Sequence, residues 1–247
     1  MARPSLAARA AAAGRSARAG AAAPARREPL TRERIVAAAL GLVERDGLAA
    51  FSLRGLAASL GCEPMSLYHH FPSKAHLRDA MVDAVVDEFA ADLPAGDPLA
   101  RLRAMMHAYR ALAHRRPRLF QLLATHRLNT PVGVRAVDRV VRAVRDVIPD
   151  ERLAAQWFRA LSYYVTGAAL DETAGYAKGP SAAEPVSDTY VAEHCPSLAA
   201  AAPYFKPAWW DSTFDLGLES LLDALRAAAA ASPAVAIAPK PVIHPKR

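Results

Sequence analysis

Residues 52–74 read SLRGLAASLGCEPMSLYHHFPSK. Ser52 suits a helix N-cap, and Leu53, Leu56 and Leu60 recur at spacings of three and four, as on the inner face of a short helix. Gly61-Cys62-Glu63 breaks it, Pro64 suits the first turn of a second helix running to His70, and Pro72 ends that helix. Two short helices joined by a three-residue turn have helix-turn-helix geometry, in which the second helix enters the DNA major groove. Leu56, Ala57 and Leu60 face Leu67 and Phe71, with Ala57 small where the helices cross. Met65, Ser66, His69 and His70 then point outward, where they reach base edges. Ser73 and Lys74 place a helix N-terminus and a cation beside the same surface, suited to a phosphate.

Upstream, Thr31 caps an expected helix with Ile35, Val36, Ala39, Leu42 and Val43 on one face and Gly47 as its stop. Downstream, Ser73 caps a helix from Lys74 to about Ala91, with Leu77, Met81, Val85 and Phe89 aligned. Further helices are expected from Asp97 to beyond Ala113, from Pro117 to about Arg127, and from Pro131 to Ile148. A long helix follows over 150–176, then a Gly- and Pro-containing loop, a short helix over 187–200, and a last helix over 209–231. No strand-like alternation and no repeat of 20–50 residues occurs, so the fold is all-α: a three-helix head and a larger helical domain.

Charge does not make the case for DNA. The 247 residues carry a formal +7. Residues 1–29 hold six Arg and one Glu, so they account for +5 of it. That arm has Leu6 as its one large apolar side chain and reads as disordered, suited to non-specific phosphate attraction. Residues 232–247, with four Pro, read as a second loose tail. The domains expected are therefore the arm 1–29, a head 30–76, a ligand-binding and dimerisation domain 77–231, and the tail. Two cysteines fit a cytoplasmic protein and exclude a disulfide scaffold. No apolar run approaches membrane-spanning length, so no membrane partner is expected.

Thr31 to Phe89 resembles the DNA-binding head of the tetracycline-repressor (TetR) family of bacterial regulators. The residues that carry the resemblance are T-R-E-R-I-x-x-A-A-L-x-L-V-x-x-x-G at 31–47, S-L-R-G-L-A-x-x-L-G at 52–61 and S-L-Y-H-H-F-P-S-K at 66–74, followed by Leu77. Leu161 to Glu172 (L-S-Y-Y-V-T-G-A-A-L-D-E) and Phe214 to Leu222 (F-D-L-G-L-E-S-L-L) resemble the dimerising helices of the tetracycline-repressor branch. The resemblance implies a homodimeric, ligand-controlled repressor bound to a palindromic double-stranded operator, dimerised through helices 150–176 and 209–231. The family's DNA contacts fall on Arg54, Pro64, Met65, Ser66, Tyr68, His69, His70 and Lys74. Arg54 and the histidines suit a guanine edge, Met65 and Pro64 a thymine methyl, and Tyr68 and Lys74 the phosphates.

The resemblance also implies an apolar or aromatic effector among the middle helices, with His107, Phe120, His126, Phe158, Ser162, Thr166 and Asp171 as its expected neighbours. His126 before Pro131, with Asp171, parallels the metal-bound drug site of the tetracycline repressor. Two ligands without further spacing make no metal site, so no metal and no cofactor are expected. Small residues at Gly167-Ala168-Ala169 and Gly217 suit close packing of long helices in a dimer. Two other classes compete. A helical carrier without DNA binding conflicts with the intact 66–74 segment. An enzyme built on His114, His126, Asp171 and Cys195 lacks any catalytic motif, so no catalytic residue is assigned.

Overall fold

The computed structural model describes residues 29–90, 96–175 and 177–231. The expected arm and tail lie outside these residues, Pro29 apart. The described residues form helices and short 3₁₀ turns with no strand. In chain order they are α1 (Arg32–Asp46), α2 (Leu53–Leu60), α3 (Pro64–Tyr68), α4 (Lys74–Ala90), α5 (Pro98–Arg115), α6 (Pro117–Thr125), α7 (Pro131–Arg145) and α8 (Glu151–Thr173). Then come α9 (Asp188–His194), α10 (Pro196–Ala201), the turns Ala202–Phe205 and Pro207–Trp209, and α11 (Trp210–Ala231). The single helix expected over 187–200 is thus two, divided where Pro196 cannot continue the first and instead starts the second.

Local chemistry sets these boundaries. Ser52 Oγ accepts from the Gly55 amide at 3.1 Å, and Gly61 ends α2 in the left-handed conformation with φ 64°. Asp97, Thr130 and Asp150 cap α5, α7 and α8 by accepting from Ala100, Gly133 and Leu153 amides at 2.8, 3.0 and 2.8 Å. The recognition helix is shorter than expected. It stops at Tyr68, and His69 and His70 sit in the turn that follows, held by Phe71 N–H donating to Leu67 C=O at 2.9 Å.

Ile35, Ala39, Val43, Phe51, Leu56, Leu67 and Phe71 are buried in the head, as are Leu77 and Met81 of α4. Leu102, Val144, Ile148, Leu161, Phe214, Leu218, Leu222 and Leu225 form the core where α5, α7, α8 and α11 meet. The boundary expected between residues 76 and 77 falls inside α4, which packs on α1 of the head and on α5, α6 and α7. No described helix is long and apolar enough to cross a membrane.

At the edge of the larger core lies an ion cluster, with Arg110 and Glu172 buried and Asp211 exposed. Arg110 is 8% exposed and Glu172 7%. The guanidinium makes two bonds to the Glu172 carboxylate, at 2.8 and 3.1 Å, and a third to Asp211 at 2.8 Å. His114 Nε2 lies 2.7 Å from Glu172, and the guanidinium stacks 4.7 Å from the Phe214 ring centroid. The cluster ties α5, α8 and α11 together, and the hydrogen bond from Arg110 lowers the Asp211 pKa.

Gly217 has a role within one chain. Tyr164 Oη donates to the Phe214 carbonyl at 2.7 Å, and a Cβ at position 217 would overlap that phenol. Gly217→Ala is therefore expected to displace Tyr164 and lower stability by about 1–3 kcal/mol in thermal or urea unfolding. An unchanged unfolding midpoint would remove this packing role.

Candidate DNA-reading surface and effector cavity

The reading surface is built on α2–turn–α3. Leu56, Ala57, Leu67 and Phe71 are buried, and Leu60 is half-buried. The side chains of the opposite face are therefore presented outward. Met65 is 68% exposed, Arg54, Tyr68 and His69 are exposed, and Pro64, Ser66 and His70 are intermediate. Lys74 is exposed as a residue, yet its ammonium donates to the Phe51 carbonyl at 3.2 Å and sits 5.4 Å from the Phe51 ring centroid. It thus fixes the segment that leads into α2, in addition to standing beside the reading surface.

Sequence reasoning missed Arg32. Its guanidinium donates to the His70 carbonyl and stacks 4.1 Å from the Phe71 ring centroid, pinning the start of α1 to the end of the recognition segment. The cue was present, since Arg32 belongs to the motif at 31–47, but a contact across 38 residues is not a spacing signal.

A cavity of about 380 Å³ lies between α4, α5, α6, α7 and α8. His126, Phe158, Ser162 and Thr166 line it, as do Val86, Met106, Tyr109, Arg127, Val140 and Arg159. The structure does not bring the other three expected residues to its wall. Phe120 is fully buried behind Tyr109, edge-on at 5.0 Å between centroids. His107 points to α11, 3.3 Å from Asp215 and edge-on to Phe214 at 5.3 Å. Asp171 is exposed, and the inward acid of that helix end is its neighbour Glu172. His126 pairs with Asp79 of α4 at 2.8 Å, not with Asp171.

The hydroxyl groups within the cavity are partnered. Ser162 Oγ donates to the Phe158 carbonyl at 2.7 Å, and the Tyr109 phenol bonds the Thr166 side chain. Burial pushes the Tyr109 phenol pKa up, so it stays neutral. Among the described residues no group of three or more His, Cys, Asp or Glu is placed to hold a metal.

The cavity and the reader share one stretch of chain. Thr130 donates to Asp83 of α4, Arg116 lies 3.3 Å from Glu88, and Arg118 donates to the Glu44 carbonyl at 3.1 Å and to that of Arg45 at the end of α1. Residues 116–130 therefore connect the cavity wall to both α1 and α4.

This combination, a helix-turn-helix reader joined to a helical domain with a small-molecule cavity, defines a class of regulator. Residues 35–81 match the bacterial regulatory proteins of the tetR family, and residues 90–229 match the tetracycline-repressor-like C-terminal domain. The chain belongs to the tetR family. The transcriptional repressor DrrR1 of Streptomyces coeruleorubidus is 34% identical over 146 residues, 58% of this chain and 54% of the repressor. The chain thus matches about half the length of that relative. The class A tetracycline repressor protein from Escherichia coli is 28% identical over 201 residues, 77% of this chain and 88% of that protein. Among solved structures, Streptomyces coelicolor ActR in complex with actinorhodin superposes with a TM-score of 0.63 at 29% identity, covering 82% of this chain and 99% of ActR.

Proposed function

We propose that this tetR-family regulator is a homodimeric repressor, acting in the cytoplasm, that binds a palindromic operator through α3 and is released when a small molecule enters the cavity. The observation that carries this reading is the path of α4. Its N-terminal residues abut the recognition segment, and its Val86 lines the cavity twelve residues further on. An occupant that displaces Val86, or that disturbs the His126–Asp79 pair, tilts the helix carrying the reader. Release needs only that the effector bind the DNA-incompetent arrangement more tightly, since equal affinity for both shifts nothing. ActR, solved with actinorhodin, and the tetracycline repressor support a small-molecule effector.

Dimerisation runs through α8 and α11 in this reading. Tyr163, 65% exposed, and Leu216, 72% exposed, each immediately precede the packed pair Tyr164 and Gly217 and present apolar surface away from it. A dimer sets two recognition helices about 34–36 Å apart, one turn of duplex, or at a wider near-equivalent.

The test is a gel shift with the DNA upstream of the protein's own gene, at low salt and without effector. A saturable shift that resists non-specific competitor is expected, and its absence would favour a carrier without DNA binding. Within the reader, His69→Ala is expected to relax discrimination between operator and mutated half-sites by about 1–3 kcal/mol. Lys74→Ala is expected to weaken binding to every duplex and to flatten the salt slope by about one unit. Equal slopes for Lys74→Ala and wild type would leave Lys74 with its Phe51 contact alone.

A further inference from the structure

We infer that the effector is an organic anion with an aromatic body, its charged group at the mouth of the cavity between Arg127 and Arg159; this rests on the effector-site reading above. The inner wall is apolar, with Val86, Met106, Leu123, Val140, Phe158 and Val165. About 380 Å³ is within the range of small-molecule sites, and the Phe158 ring with the Met106 thioether favours an aromatic partner.

The charge on the wall is of one sign. No Asp or Glu lines the cavity, and its two permanently charged side chains are Arg127 and Arg159. Both residues are exposed, so each meets solvent at the edge of the cavity. The only hydrogen bonds of Arg159 among the described residues go to the Tyr163 phenol, at 2.9 and 3.3 Å. Among the described residues no carboxylate lies within ion-pair distance of Arg127 or Arg159. His126, the remaining titratable cavity residue with a ring nitrogen, already faces Asp79.

Deeper hydroxyl groups are already partnered, so an anion gains most by leaving its charge at the rim and burying its apolar end. A guanidinium fork binds a carboxylate or sulfonate through paired N–H donors, and beside low-dielectric walls that attraction exceeds its value in water. A neutral body of the same shape gains only burial, and a cation is repelled.

The test uses the full chain and two fluorescent dyes with a common aromatic body, anilinonaphthalene sulfonate and the uncharged N-phenylnaphthylamine. At low salt the sulfonate is expected to bind at least about fivefold more tightly. Arg127→Gln/Arg159→Gln, two surface changes that leave the core intact, is expected to bring the affinity for the sulfonate down to that for the neutral dye. Ala136→Trp, which fills the cavity, is expected to remove both dyes. Equal affinities in the wild type, with both dyes lost on Ala136→Trp, would overturn the anion inference and leave the cavity reading intact. Absence of dye binding, or binding indifferent to Ala136→Trp with the fold preserved by circular dichroism, would overturn both.

Discussion

Arg110→Met is expected to destabilise the larger domain by about 3–5 kcal/mol, because it leaves the Glu172 carboxylate buried without its cation. In a chain of this size each kcal/mol moves the midpoint by about 2–4 °C, so thermal unfolding should begin at least about 6 °C lower. The loss belongs to the unpaired charge more than to the missing contacts. Adding Glu172→Leu to Arg110→Met should therefore recover part of the stability, and a double-mutant cycle reads that coupling. A shift below about 1 kcal/mol for the single variant would mean that His114 and solvent suffice for Glu172. The consequence is functional as well, since the cluster fixes α8 and α11 to each other and to α5, whose Met106 and Tyr109 form part of the cavity.

Met65→Glu is the second large effect. Met65 is exposed at the start of α3 and contributes nothing to the head core, so the folded structure tolerates the change. In a bound complex it sets a carboxylate against base edges and phosphates in both half-sites. At about 1–3 kcal/mol for each half-site, operator affinity should fall by at least about 30-fold. Circular dichroism and dye binding in the cavity should be unchanged. A variant that still binds the operator with wild-type affinity would show that α3 does not enter the groove.

The head was legible in the sequence because its signals are local. Ser52, Gly61 and Pro64 act within one helical turn of where they stand, and the Leu56, Ala57, Leu67 and Phe71 pattern follows from helical periodicity. Helix starts at Asp97, Pro131 and Asp150 were readable for the same reason, while the Thr130 cap was not read. The cavity was legible only in part. Of the expected residues His126, Phe158, Ser162 and Thr166 line it, while His107, Phe120 and Asp171 do not. Periodicity places a residue on a stripe but does not say which of two neighbouring helices that stripe meets. On α5, Met106 and Tyr109 turn to the cavity, and His107 between them turns to α11. Arg110 and Glu172 escaped notice because 62 residues separate them and no spacing motif links them. The intrachain partner of Gly217 was not legible, because smallness has no partner written in the sequence; it is Tyr164 of the same chain.

The central claim is that α3, presented twice by a dimer, reads a specific duplex. The most direct measurement is selection of bound sites from a pool of randomised duplexes, run in parallel with wild type and Met65→Glu. The wild type is predicted to enrich an inverted repeat with half-sites one helical turn apart, or at a wider near-equivalent, and Met65→Glu to enrich nothing. Recovery of unpatterned sequences by the wild type, or of the same motif by both proteins, would contradict it.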